Sequence, residues 1–425
     1  MEQVVLALFL AFFTLEFLVE FLLNELNLAW ARQQGGEGRV PPFFAGRVSG
    51  EDYRKSIDYT LAKGRFGRWA ELYGKLATLL ILFGGVLPLL DRVAQNLAGL
   101  LPSATQATGI LFCLGVGLLL SFFSLPADLY ATFVLEARFG FNKTTPALYV
   151  ADKLKGLLLS LVIGVPFLFA VLWLMDAAAA YWWLWVFLFV SAFQLLMIVV
   201  YPSFIAPLFN KFEPLKEGEL RARILALAKQ VGFRTGGIYT MDGSRRSAHS
   251  NAYFTGLGKS KRIVLFDTLL EQMAADQSLA VLAHEMGHYK MKHVRRMLVV
   301  RSLFLLIGLY FLSLLVDYAP LFRAFGLERP SNYGALVLFS LLAGPATFYL
   351  SPLMNLLSRR HEYEADCFSA QVLNNAKPME EALIKLTVKN LSNLTPHPWY
   401  SAYHYSHPTT AERISAMREE SLESA

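Results

Sequence analysis

Apolar residues run in long blocks along this chain, and polar residues gather in the gaps between them. Seven blocks approach the 20 or so mostly apolar residues that a helix needs to cross a bilayer. They fall at about 4–30, 70–90, 110–134, 157–175, 181–208, 297–316 and 333–356. The pattern divides the chain into 1–208 with five spans, a polar segment 209–296, two more spans in 297–356, and a polar tail 357–425. The first block carries Glu16, Glu20 and Glu25. Carboxylates are costly against lipid, so Glu16 and Glu20 should face a protein interior or a wet cavity. For Glu25 the headgroup region is the alternative. The block has no basic n-region and no small-residue cleavage site, so it reads as a retained span.

Composition agrees. Of 425 residues, 55% are hydrophobic and only 17% charged, against roughly 25% charged in soluble proteins. Disorder and a soluble globule are excluded, and two cysteines, Cys113 and Cys367, make no disulfide framework. The net charge of +6 matters through its placement. No Lys/Arg cluster alternates with polar linker as in a nucleic-acid domain. Arg and Lys crowd the first, third and fifth loops and the tail, while the second loop holds only Arg92 and the fourth none. The positive-inside rule then puts the N-terminus outside and the segments 209–296 and 357–425 together in the cytoplasm.

The segment 209–296 reads as α+β: a helix at 217–231, strands at 236–242, 249–257 and 261–266, and a helix at 275–293. The last helix contains His284-Glu285-Met286-Gly287-His288. Histidines at i and i+4 share one helix face and can bind one zinc ion, with Glu285 beside it as general base. Zinc brings the pKa of a bound water to about 7 and so supplies a nucleophile at neutral pH.

A third protein ligand is needed, with the fourth position open. Glu362 and Asp366 are one turn apart beyond the seventh span. Glu362 could bind the metal while Asp366 accepts the N–H of a ligand imidazole. Glu364 lies about 160° around the helix from Asp366 and points elsewhere; His361 is a rival ligand. Asn251 and Ala252 open a strand suited to pairing with an extended substrate. An oxyanion donor is needed too, and His397, His404 and His407 stand as equal candidates, with Arg413 beyond.

With these residues in place, the chain resembles the zinc-dependent, integral-membrane CAAX prenyl proteases of the a-factor-converting type, which are gluzincins. HEMGH at 284–288, the Glu362/Asp366 pair within SRRHEYEAD, HSNAYFTG at 249–256 and SHPTTAERI at 406–414 carry the likeness. ARFGFNKTTPALYVADKLKG at 137–156 and IAPLFNKFEPL at 205–215 are similar to signatures outside the site. The resemblance implies seven tilted helices around a barrel-like, water-filled chamber, closed on the cytoplasmic side by a zinc domain. It assigns His284, His288 and Glu362 to one zinc, Glu285 as base and Asp366 as the residue orienting a ligand histidine. Asn251, Ala252 and, less directly, Arg413 fall to the substrate, and His407 to the oxyanion. The implied partners are the bilayer and a peptide or protein substrate bearing a prenyl group. Short outer loops and a tail, 418–425, without a dilysine signal fit a bacterial inner membrane better than the endoplasmic reticulum. Two other readings are a quality-control membrane metalloprotease and a non-catalytic membrane factor with structural zinc. An intact Glu285 and the lack of a cysteine pair oppose the second.

Overall fold

The computed structural model describes residues 1–36, 38–100, 104–256 and 261–423. Leu257, the last residue of an expected strand, and Ser424 and Ala425 in the tail lie outside them. The N-terminal half is helical: α1 (Glu2–Gly36), α2 (Gly50–Phe83), α3 (Val86–Ala98), α4 (Ala104–Tyr130), α5 (Pro146–Ala177), α6 (Trp182–Val200) and α7 (Ala206–Phe209). π-Helical turns at Ala131–Glu136 and Tyr201–Ile205 prolong α4 and join α6 to α7.

The helix α1 shows how its sequence sets its orientation. Val4, Leu8, Phe12, Leu15, Leu18 and Leu22 recur at helical spacing and are exposed, which turns an apolar stripe to lipid. Phe9 and Phe13 on the opposite face are buried. Glu16 and Glu20 share that inward face. Glu16 pairs with Lys75, Glu25 with Arg68, and Glu20 lies 3.4 Å from His404. A carboxylate in a membrane segment is tolerable only when paired or wet, and both conditions hold here.

The central part holds β1 (Phe212–Pro214), α8 (Glu219–Gln230), β2 (Gly237–Met241), β3 (Ala252–Thr255), β4 (Arg262–Phe266), α9 (Asp267–Gln272) and α10 (Ala275–Lys290). It is followed by α11 (His293–Leu315), α12 (Ala319–Ala324), α13 (Asn332–Phe348), α14 (Ser351–Val372), α15 (Lys377–Lys389), α16 (Pro398–His404) and α17 (Thr410–Glu423). The sheet has the order β1-β2-β4-β3, parallel between β2 and β4 and antiparallel elsewhere. β3 therefore has no strand partner on its outer edge among the described residues. α8 and α10 bury Ile224, Leu227, Leu279 and Leu282 against Ile263 and Leu265 of β4.

Five helical stretches can each cross a membrane alone: Glu2–Gly36, Gln106–Glu136, Pro146–Ala177, Ala179–Phe209 and His293–Leu315. Two bent pairs, α2 with α3 at 58° and α13 with α14 at 63°, are long and apolar enough only when each is taken as one span. The sequence suggested unbroken spans at both places, and both are corrected. The first breaks because Gly85 has φ +72°, a left-handed conformation that stops a helix. The second breaks at Tyr349–Leu350, where Pro352 in the first turn of α14 starts a new helix. The expected helix 275–293 is likewise two helices. Lys292, at φ +61°, ends α10 and makes His293 the first residue of α11.

The signatures at 137–156 and 205–215 fasten the protease part to the membrane helices. Lys143 donates its backbone N–H to Arg246, and Ala248 donates to Phe141, both at 3.0 Å. Arg246 binds Asp152 bidentately at 2.8 and 3.0 Å and Asn210 at 2.9 Å. Between the helices and the protease part lies a chamber of about 1490 Å³, larger than the roughly 300–1,000 Å³ of an ordinary ligand pocket.

Candidate active site

The site forms where α10 crosses α14. Gly287, inside the HExxH motif, permits the crossing. A Cβ there would lie 3.1 Å from Phe368 Cδ1 and 3.2 Å from Ala365 Cα, so a larger residue would push the two helices apart by a few tenths of an ångström. Ser369 adds a hydrogen bond from its hydroxyl to the Ala280 carbonyl at 2.8 Å. This contact sets Glu362 beside the two motif histidines.

Donor atoms from three residues converge. His284 Nε2 and His288 Nε2 are 3.2 Å apart, His284 Nε2 and Glu362 Oε2 are 3.5 Å apart, and His288 Nε2 and Glu362 Oε1 are 3.3 Å apart. The three residues form a group able to hold a metal ion. Glu362 is buried, yet its Oε2 has no hydrogen-bond partner. An orphaned buried carboxylate oxygen is expensive, and a cation at the centre of the trio would satisfy it.

Behind the trio, His284 Nδ1 lies 2.8 Å from Asp366 Oδ1. Burial would lower the pKa of His284, but hydrogen bonds to Asp366 and Glu362 outweigh it and raise the pKa to about 9. Arg413 reaches Asp366 with Nε at 2.7 Å and Nη2 at 2.6 Å, and Glu362 Oε2 with Nη2 at 3.5 Å. The sequence placed Arg413 at the substrate. It does line the chamber, but it is buried and its guanidinium is committed to Asp366.

Removing that guanidinium would leave Asp366, which has no exposed surface, as a buried charge without its cation. Arg413→Ala is therefore expected to destabilise the chain by about 3–5 kcal/mol. Thermal unfolding in detergent checks this, with a chelated sample run alongside to separate the loss from that of metal. An unchanged midpoint in the chelated sample would show that the pair contributes nothing.

Glu285 follows His284 on the same turn. Burial pushes its carboxyl above the usual range, with the two histidines opposing. His407 Nε2 is 3.4 Å from Glu362 Oε1, and its ring is largely exposed to the chamber. The other two candidate histidines serve elsewhere. His397 caps α16 by accepting from Trp399 N, and His404 faces Glu20. His361 is not in the trio; its ring stacks on His293 at 4.1 Å. Asn251, just before β3, accepts from Phe266 N with its carbonyl and lines the chamber. Ala252 is buried at the start of the strand.

Sequence reasoning missed three contributors. His249 stacks on Phe141 at 3.9 Å and contacts Asn390 at 3.1 Å, which steadies the base of β3. His293 and Glu364 sit behind His288, with His293 Nδ1 at 2.9 Å from His288 Nδ1. The expectation that Glu364 points away from Asp366 agrees with the structure; its partner is His293, which the predicted helix 275–293 includes but the structure puts in α11.

Comparison with known proteins identifies the family. Residues 32–211 match the family described as the CAAX prenyl protease N-terminal region with five membrane helices, and residues 214–421 match peptidase family M48. The chain is 38% identical over 411 residues to CAAX prenyl protease 1 of Saccharomyces cerevisiae, covering 91% of this chain and 90% of that one. It is 39% identical over 384 residues to a CAAX prenyl protease 1 homolog of Oryza sativa, covering 89% and 90% of the two chains. The crystal structure of Ste24p from S. mikatae superposes with a TM-score of 0.89 at 35% identity, over 96% of this chain and 98% of that one. The chain thus belongs to peptidase family M48 and is a multi-pass membrane metalloprotease of the CAAX prenyl protease type.

Proposed function

We propose that this chain is a zinc metalloendopeptidase that removes the C-terminal tripeptide of prenylated CAAX proteins. One zinc ion would be held by His284, His288 and Glu362. The observation that carries the reading is the convergence of donor atoms from three residues, with neighbouring contacts of 3.2–3.5 Å and one Glu362 oxygen left without a hydrogen-bond partner. Zn–N bonds of about 2.0–2.1 Å put tetrahedral corners about 3.3 Å apart, so the spacing suits zinc. When bound, the ion supplies Lewis acidity, polarising the scissile carbonyl and acidifying water.

The residues of the chain do the rest. Glu285 takes a proton from the attacking water and returns it to the leaving amine. His407, on the exposed side of the trio, donates to the developing oxyanion. Asn251 and Ala252, at the free edge of β3, hold the substrate backbone in extended form. Asp366 accepts the Nδ1–H of His284 and so leaves Nε2 free as a donor atom. Arg413 fixes Asp366 and faces the substrate from the chamber wall. The Lys/Arg-rich loops support a cytoplasmic position for both polar parts, 209–296 and 357–425. The short outer loops favour a bacterial inner membrane.

Matched farnesylated and unfarnesylated CAAX peptides, with and without chelator, test the reading. Chelator-sensitive cleavage of the farnesylated peptide is expected, with the unmodified peptide cut more slowly. Equal cleavage of both would overturn prenyl recognition, and no cleavage by metal-loaded protein would overturn the peptidase reading.

A further inference from the structure

The two histidines of the motif are supported differently. His284 has Asp366 directly behind it. His288 has a second histidine behind it, and a carboxylate behind that. His288 Nδ1 lies 2.9 Å from His293 Nδ1, and His293 Nε2 lies 2.9 Å from Glu364 Oε2. His293 is almost fully buried. Glu364 is held in turn by Arg360 Nε at 3.1 Å and by Arg296 Nη1 at 3.6 Å.

The chemistry of the groups fixes the direction of every bond. A histidine that offers Nε2 to a cation carries its proton on Nδ1. His288 then donates to His293 Nδ1, which must hold a lone pair. A neutral His293 must carry its own proton on Nε2, where it donates to the Glu364 carboxylate. Only one pair of tautomers satisfies the chain, and it is the pair that leaves His288 Nε2 free. The backbone also reaches this arrangement at a cost. Lys292 takes the left-handed conformation, φ +61°, which a Cβ disfavours. That turn brings His293, five residues on, back to His288.

We infer that His293 is a positioning residue that fixes the tautomer and orientation of His288 through a relay ending at Glu364. The inference rests on the proposed reading of His288 as a metal ligand. His293 is the first residue of α11, and α11 is a membrane span. The relay therefore ties one half of the metal site to the transmembrane bundle, while Asp366 and Arg413 tie the other half to α17.

The test is metal retention in the full-length protein in detergent, followed as zinc lost to a chelator. His293→Phe keeps a ring that can stack on His361 and deletes both hydrogen bonds. It is expected to lose zinc about 10–100-fold faster than the natural chain. His293→Asn, whose Oδ1 can accept from His288 Nδ1, should retain zinc nearly as well as the natural chain. Natural retention in His293→Phe overturns the relay. Equal loss in both variants also overturns it, because the ring would then act through packing alone. Should His293→Phe not fold, Glu364→Leu, at a half-buried position, decides in the same way: unchanged retention overturns the relay. His288→Ala separates this inference from the reading beneath it. Zinc retained there sinks His288 as a ligand, whereas zinc lost there but kept in His293→Phe sinks the relay alone.

Discussion

Glu285→Gln is expected to abolish peptide-bond hydrolysis while metal content and fold stay intact. Glutamine has the same shape, so the packing around α10 is kept. It cannot accept a proton, and a general base is worth about 10²–10⁴-fold in rate. The environment of Glu285 suits the role. Burial raises its carboxyl above the usual range, toward the neutral pH at which a base works best, while His284 and His288 limit the rise. The exchange removes a charge and adds none, so no new desolvation cost arises. kcat on a cleavable CAAX peptide should fall by at least two orders of magnitude with KM little changed, because the loss lies in the chemical step. Metal analysis and a thermal scan on the same sample verify that only chemistry was lost. Full activity would remove Glu285 from the mechanism.

What the sequence revealed of this site depended on local periodicity. His284 and His288 share a face at i and i+4, and so do Glu362 and Asp366; helix geometry alone makes both pairs visible. The crossing of α10 and α14 was not visible in this way. It turns on Gly287, whose missing Cβ allows contact with Ala365, and the sequence offers no sign of that use. The relay behind His288 was hidden because apolar periodicity runs smoothly across Lys292, a lysine in a conformation that glycine usually adopts. Membrane spans were legible as apolar blocks, but the bends at Gly84–Gly85 and Tyr349–Leu350 were not, since hydropathy averages over them. The strand β1 is three residues long, too short for alternation to register.

Glu362→Ala should lose the metal and with it all proteolysis. Of the three donors, Glu362 alone comes from α14, so it closes the site between two helices rather than along one. It is also the only charged donor, and its Oε2 finds no hydrogen-bond partner in the protein. Without it, two imidazoles at 3.2 Å remain, a pair with no negative charge to offset the cation's desolvation. Loss of an outer-shell partner typically weakens metal binding about 10–100-fold, and loss of a ligand should exceed that. The fold should survive. Arg413 binds Asp366 through two atoms and Ser369 binds Ala280, so α14 stays fastened to α17 and α10. A melting temperature near that of chelated natural protein, together with metal well below one ion per chain, is the expected pair of results. Stoichiometric metal in folded Glu362→Ala would instead mean that the third ligand lies elsewhere. His407 would then be the next residue to replace, since its Nε2 stands 3.4 Å from the Glu362 carboxylate and its imidazole could move into the vacated place.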